Sequence, residues 1–472
     1  MLAKTGGHDP LCPPESPGLD PRLAASIMRR VPQLSAGPEG RTEPMGRREA
    51  EIFEEIRRTV RARRGETVRL LQSLVRVPSM SGDECAVQEV VEDALLGCGL
   101  AVERCEATAE LVAPYAEHVG EETRFGGRPN IIGVRTGSGG GRSLLLNAHV
   151  DTVGNGDPAA WAHPPLSGEV VGDLLYGRGA CDMKGGLATI VGALETLKVL
   201  GVSLRGDVTV AATVGEEDTG VGALATVLAG YRADAALITE PTRLRLVPAQ
   251  AGSLVFRLTV TGSAVHASAR HRGVSAFEKF LPLFEALRDL ERERSATLRH
   301  PLYEGLEDKA AINFGVVRAG EWAITVPEKL VAEGRVGLVP GEELGPSKSM
   351  VLERITEAAK GDPWLREHPP KVEWVGGQSA PAEVPPDAPI CQAVSGAHER
   401  VTGRKPGVEG VTYGADMRFF VRMGGMPCVM YGAGDVGWAH CADEHISITD
   451  LLTATETVAC LLADWCGVTA RA

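Results

Sequence analysis

Four short apolar runs, each closed by a glycine-rich or acidic turn, constrain this chain most. They are NIIGVRTG from Asn130, SLLLNAHVDTV from Ser143, DVTVAATVGEE from Asp207 and AALITEP from Ala235. Each has the length of a buried strand. Between the second and third, Leu187, Ile190, Val191, Leu194 and Leu197 recur at helical spacing, predicting a helix over residues 185–201. Strand, helix and strand joined by short turns imply a largely parallel sheet covered by helices. Upstream, Ile52, Ile56, Val60, Val68, Leu71, Leu74 and Val75 predict one long amphipathic helix, and a second is expected over Glu84–Cys98.

A different rhythm begins near Gln250. LVFRLTVTG reads as a strand, residues 274–293 as a helix, INFGVVRAG and LVAEGRVGLVPG as strands, residues 348–359 as a helix and KVEWVGG as a strand. That order, β-α-β-β-α-β, is the split ferredoxin-like arrangement. After the proline-rich APAEVPPDAP, a helix near Ile390–Thr402, a strand at MPCVMYG and a helix over Asp450–Cys466 restore the first pattern. The expected fold class is α/β: a mixed, largely parallel sheet with helices on both faces, over residues 47–249 and 379–472. It carries an inserted α+β domain over residues 250–378. A chain of 472 residues suits two such domains. Residues 1–46, rich in proline, glycine and charge, read as a disordered or loosely ordered extension, with Met45 as an alternative start.

Charge narrows the partners. The formal net charge is −13, which argues against nucleic acid or an anionic membrane surface. An anionic substrate stays possible, because bound metal ions reverse the field inside a cleft. No apolar stretch approaches the ~20 residues that span a bilayer, and the first residues lack the apolar core of a signal peptide. The 10 cysteines are scattered singly and read as reduced thiols of a cytosolic protein. Cys181 and Cys441 read as small neighbours of the motifs around them.

The chemistry-bearing residues lie mostly at strand ends, where open parallel sheets bind ligands. His149 and Asp151 close one strand on the same side; the histidine suits a metal, and the aspartate suits the other ring nitrogen. Asp182 sits in the glycine-lined turn YGRGACDMKGG, where it would equally cap the next helix, a role worth about 1 kcal/mol. Glu216 and Glu217 are adjacent at another strand end. Side by side and buried they repel, and a cation would relieve them, leaving one free as a general base. With Asp218 next, an exposed acidic loop is the alternative. Glu240 ends a further strand, and His440 arrives far downstream. Such nitrogen and oxygen donors suit two zinc ions sharing a water.

The ordered motifs HVDTV, GRGACDMKGG, GEED, TEPT, GSAVHAS and AHCADEH resemble the zinc-dependent amidohydrolase and exopeptidase family that includes acetylornithine deacetylase, succinyl-diaminopimelate desuccinylase and aminoacylase. The likeness runs from about Val68 to the C-terminus and implies a zinc exopeptidase-like sheet. It implies two zinc ions per subunit, with cobalt or manganese as substitutes: His149, Asp182 and Glu240 on one, Asp182, Glu217 and His440 on the other. Asp151 would orient His149, and Glu216 would be the general base. His266, in the inserted domain, would cross a homodimer interface to stabilise the oxyanion in the partner's site, so that domain would be lid and dimerisation domain at once. Arg335 would grip a substrate carboxylate, and Asp416 and Arg418, in GVTYGADMRFF, would contact substrate. Glu240 resembles the deacetylase and desuccinylase branch, whereas N-carbamoyl amino acid hydrolases usually carry histidine there. There are departures. Ile324 stands where desuccinylases often carry asparagine, Ala442 where proline is frequent, and His445, a spare histidine, where tyrosine is frequent. The implied reaction is hydrolysis of the amide bond of a small N-acylated amino acid or related amine. Acetylornithine, other N-acyl amino acids and a formylated aminopyrimidine fit that description. A dipeptidase or carboxypeptidase would use the same residues. A non-catalytic binding or scaffold descendant would show loss of Glu216 or of a ligand, and none is lost.

Overall fold

The computed structural model describes residues 47–120, 123–306 and 309–469; the extension expected over residues 1–46 lies outside them. The chain opens on α1 (Arg47–Ala62) and α2 (Arg64–Arg76), two helices where the periodicity predicted one. Arg63 leaves helical geometry with φ −94° and ψ 15°. The break lets each helix bury its own stripe, Phe53, Ile56 and Val60 on α1, and Leu71, Leu74 and Val75 on α2. Those stripes continue one phase along the sequence, so the break leaves no mark in the pattern.

Next come α3 (Cys85–Gly97), β1 (Ala101–Glu106), β2 (Pro129–Arg135), β3 (Leu144–His149), β4 (Val170–Val171) and β5 (Leu174–Tyr176). They are followed by α4 (Gly185–Val199), β6 (Val208–Thr213), α5 (Val221–Leu228), β7 (Ala235–Ile238) and β8 (Leu246–Gln250). Near the C-terminus lie β13 (Ala382–Glu383), α8 (Pro389–Thr402), β14 (Val408–Val411), α9 (Met417–Arg422), β15 (Cys428–Met430), β16 (His445–Ser447) and α10 (Ile448–Trp465).

These strands build a nine-stranded sheet in the order β1-β2-β6-β3-β7-β15-β8-β13, with β14 also on β8. The centre is parallel: β3 pairs with β6 and β7, and β7 with β15. The β1–β2, β2–β6, β8–β15 and β8–β13 pairs are antiparallel. All six residues of both β3 and β6 are buried, as expected of strands covered on both faces. α10 packs against α1, α4 and α8. Its buried Leu451, Val458, Leu461 and Leu462 join Ile190, Leu194 and Leu197 of α4 in one core with the sheet. A small three-stranded sheet, β16-β5-β4, stands apart.

Residues between β8 and β13 form a separate four-stranded antiparallel sheet. Its elements are β9 (Gly252–Thr261), α6 (Ala276–Thr297), β10 (Ile312–Ala319), β11 (Lys329–Leu338), α7 (Leu344–Lys360) and β12 (Lys371–Trp374). The order is β10-β11-β9-β12, the ferredoxin-like one. Leu254, Phe256, Leu258 and Val260 alternate along β9 and meet Phe280, Leu283 and Leu287 of α6 and Val351 and Ile355 of α7. Gly334 faces Phe256 across the sheet, and a Cβ there would meet the ring at 2.8 Å.

No described helix is long and apolar enough to cross a membrane. Among the described residues, the cysteines from Cys98 to Cys466 are free.

Candidate metal centre

The acidic and histidine side chains gather at one edge of the parallel strands, as topology demands of open sheets. His149 ends β3 and is 1% exposed. Its Nδ1 lies 3.0 Å from the Asp151 carbonyl oxygen and 3.6 Å from Asp151 Oδ1. A carbonyl oxygen only accepts, so Nδ1 carries the proton. In the neutral ring Nε2 then presents a lone pair, and it points at Asp182 Oδ1 from 3.1 Å. Two lone pairs face each other there. A proton on Nε2 or a cation between the atoms resolves the conflict. Burial would push His149 down, but the Asp151 and Asp182 carboxylates outweigh it and hold the imidazole well above its ordinary value.

Asp151 does more than face His149. Its carboxylate accepts from Ser81 Oγ at 2.7 Å and from the backbone amides of Glu216 and Glu217, both at 3.1 Å. The turn after β6 is thus tied to the end of β3. Burial would raise Asp151, but its bonds to His149, Ser81 and the Glu217 amide lower it overall.

Asp182 projects from the tight turn Ala180–Lys184, whose Asp182–Met183 peptide is cis. Glycines make this turn possible. Gly179 takes φ +78°, and a Cβ on Gly186 would meet the Thr239 carbonyl oxygen at 2.2 Å, so α4 starts flush against the end of β7. No bond from the Asp182 side chain caps α4, which excludes the capping alternative.

His440 approaches from the C-terminal side with φ +62°. Its Nε2 lies 2.9 Å from Glu217 Oε2 and 3.5 Å from Asp182 Oδ2. The spare His445 does not join this group: its Nδ1 is 2.8 Å from the Asp443 carbonyl oxygen, and its ring lies against Tyr176 and Trp438. Cys181 donates to the Asp435 carbonyl oxygen and Cys441 to that of Trp438.

Donor atoms of His149, Asp182 and Glu217 all lie within 4.8 Å of one another. This trio takes a member from each of the two implied ligand sets. Glu240, two residues past the end of β7, is buried and lies outside it. Desolvation first, then the charges of Asp182, Asp416 and Glu217, push Glu240 well above the usual carboxylate range. Glu216 is half-buried, and desolvation, with Asp416, Glu240 and Glu217, raises it strongly too. The carboxylates therefore crowd one poorly solvated corner. This donor set fits a divalent cation of the kind nitrogen and oxygen ligands prefer, which would relieve both the crowding and the facing lone pairs.

Of the remaining expected residues, Asp416 and Arg418 lie near the cluster, and Arg335 and His266 do not touch its carboxylates. Asp416 is 1% exposed and neither carboxylate oxygen has a hydrogen-bond partner; burial pushes it up to about 7. Arg418 is buried, donating to the Thr219 and Ala415 carbonyl oxygens at 3.0 Å, so it braces the loop after Glu217. Arg335, on β11, reaches across to the Thr412 carbonyl oxygen at 3.3 Å. His266 is exposed, its Nδ1 2.8 Å from Ser268 Oγ, and contacts none of the clustered carboxylates. Three residues at the cluster escaped the sequence reading: Ser81, Arg178 and Glu444. Glu444 lies inside AHCADEH, but charged neighbours disguise it as a surface residue.

The chain is 28% identical over 362 residues to N-formyl-4-amino-5-aminomethyl-2-methylpyrimidine deformylase of Halalkalibacterium halodurans, covering 72% of this chain and 83% of that protein. It is 29% identical over 400 residues to succinyl-diaminopimelate desuccinylase of a Methylobacterium species, covering 81% and 91%. The fold is similar to that of the di-peptidase Dug1p from Saccharomyces cerevisiae, with a TM-score of 0.68 at 14% identity, over 89% of this chain and all of that one. Residues 145–464 match peptidase family M20/M25/M40, a stretch holding His149, Asp182, Glu216, Glu217, Glu240 and His440. The chain belongs to peptidase family M20/M25/M40.

Proposed function

We propose that this protein hydrolyses the amide bond of a small N-acylated amine at a centre of two divalent metal ions, zinc in the first instance. The observation that carries the reading is the convergence of His149 Nε2, Asp182 and Glu217 donor atoms within 4.8 Å of one another, with His440 Nε2 2.9 Å from Glu217 Oε2. His149, Asp182, Glu217, Glu240 and His440 would hold the ions, with Asp182 shared. Bound there, a metal pair supplies Lewis acidity toward water and the scissile carbonyl.

The chain's own residues supply the rest. Glu216 is not among the converging donors, so its carboxylate is free to take a proton from the attacking water and deliver it to the leaving amine. Asp151 fixes the Glu216 and Glu217 amides and the His149 ring at once, so base and ligands keep one relative position. His266 is too remote to act in its own chain's cluster; in a homodimer formed through the four-stranded unit it would reach the partner's site and donate to the oxyanion. That unit would act as the lid, with Arg335 binding a substrate carboxylate. The named relatives, a deformylase and a desuccinylase, release small acyl groups, which supports deacylation over peptide cleavage. The test is a hydrolysis screen of N-formyl, N-acetyl and N-succinyl amino acids, a formylated aminopyrimidine and dipeptides, with zinc or cobalt added. Turnover of an N-acyl substrate, lost by about 10²–10⁴-fold in Glu216→Gln, is expected. No turnover of any of them, or equal turnover by Glu216→Gln, overturns the proposal.

A further inference from the structure

Two donors of the cluster come from loops far apart in sequence, Asp182 from the turn after β5 and His440 from the loop before β16. One side chain joins those loops. Glu444 is fully buried. Its Oε1 accepts the backbone N–H groups of Cys181 and Asp182, each at 3.0 Å, and its Oε2 accepts Arg178 Nη1 at 2.6 Å. Its own carbonyl oxygen accepts the Gly177 N–H at 2.8 Å. The next residues pair in register with β5, His445 with Tyr176 and Ile446 with Leu175. Four residues around the turn, Gly177, Arg178, Cys181 and Asp182, are therefore held by one residue of the His440 loop.

We infer that Glu444 is a positioning residue for the metal centre: its carboxylate, oriented by Arg178, sets the Asp182 carboxylate against His440. This deepens the metal-hydrolase reading and rests on it. The geometry explains why a full charge stands in so dry a place. A carboxylate offers two oxygens, so it can take two amides on one and a guanidinium on the other. A glutamine has one oxygen, and its NH₂ would face Arg178 donor to donor. The turn would then lose its anchor while Asp182 itself remained intact. Outer partners of this sort typically govern metal affinity by about 10- to 100-fold.

The test uses the full chain, stripped of metal, with zinc affinity read by competition against a chromophoric chelator and the ligand field read from the visible spectrum of the cobalt form. Glu444→Gln is expected to weaken zinc binding by about 10- to 100-fold and to change the cobalt spectrum. Glu342→Gln is the control. It breaks another buried ion pair, with Arg294 at 2.8 Å in the four-stranded unit, and should leave affinity and spectrum as in the parent. Should Glu444→Gln fail to fold, Arg178→Gln keeps the carboxylate on both amides and is expected to weaken zinc binding less, in the same direction. Parental affinity and spectrum in folded Glu444→Gln, or in Arg178→Gln where the former does not fold, overturn the inference alone. A parental protein that takes up no metal overturns it together with the reading beneath it.

Discussion

Replacing Glu217 by glutamine should move stability in opposite directions with and without metal. Donor oxygens of Asp182 and Glu217 lie within 4.8 Å of each other. Two full negative charges at that separation repel by about 3.5 kcal/mol at an effective dielectric of about 20. Against this stands the contact of Glu217 Oε2 with His440 Nε2 at 2.9 Å. That histidine is half exposed, and reducing a charge-assisted bond to a neutral one costs about 1 kcal/mol. The metal-free variant is therefore expected to be more stable than the parent by about 1–3 kcal/mol at pH 8, seen as a higher urea midpoint in the presence of chelator. Zinc reverses the order. At free zinc of about a thousand times its Kd the parent gains about 4 kcal/mol. The variant has lost one of three converging donors, binds more weakly and gains less. A Glu217→Gln protein that unfolds before the parent in chelator, or draws equal stabilisation from zinc, refutes the argument that this corner is built around a cation.

Other outcomes are expected. His398, buried beside Tyr431 with Nδ1 2.7 Å from the phenolic oxygen, is depressed by burial; the unfolded chain takes up its proton first as pH falls through about 6.5. Stability should thus fall on acidification, and urea midpoints between pH 8 and 5.5 should change less in His398→Gln. Phe256 is fully buried, edge-on to Phe314 at 5.6 Å and Trp374 at 6.4 Å; Phe256→Ala should cost about 3–5 kcal/mol, measured by chemical denaturation. His266→Ala and Glu216→Gln should each be inactive alone. Unfolded and refolded together they should recover about a quarter of parental turnover, since half of randomly mixed dimers carry one intact site; no recovery would place His266 outside the partner's site.

The central strands were legible because β3, β6 and β7 are continuous apolar runs, the mark of a strand covered on both faces. Strands at the antiparallel margin were not. β1 reads AVERCE, and β8 carries Pro248, which demotes a run in any local reading. The four-stranded unit was legible whole, since its β9 alternates buried and half-buried side chains along its length. In the candidate site, His149, Asp182, Glu217 and His440 were each ambiguous alone, and only their order along the chain made them candidates together. Glu444 was hidden for another reason. Its partner Arg178 stands 266 residues away, and nothing local distinguishes a buried acid from the exposed ones flanking it. Arg418 carries a second role that its sequence setting did not show: it is buried, and its Nη1 and Nη2 donate to the Ala415 and Thr219 carbonyl oxygens.

The strand order also governs when this protein can be finished. β7 ends at Ile238 and β8 starts at Leu246, yet the slot between them is filled by β15, Cys428–Met430. On the ribosome, the two halves of the large sheet must wait, with a gap at the middle, until Cys428–Met430 has emerged. The four-stranded unit, made entirely from residues 252–374, meets no such delay and can close first. The late strand makes the large sheet a long-range assembly, slow to form and open to mispairing while edges of β7 and β8 stay bare. A chain cut before Cys428 lacks both the strand that joins the halves and His440.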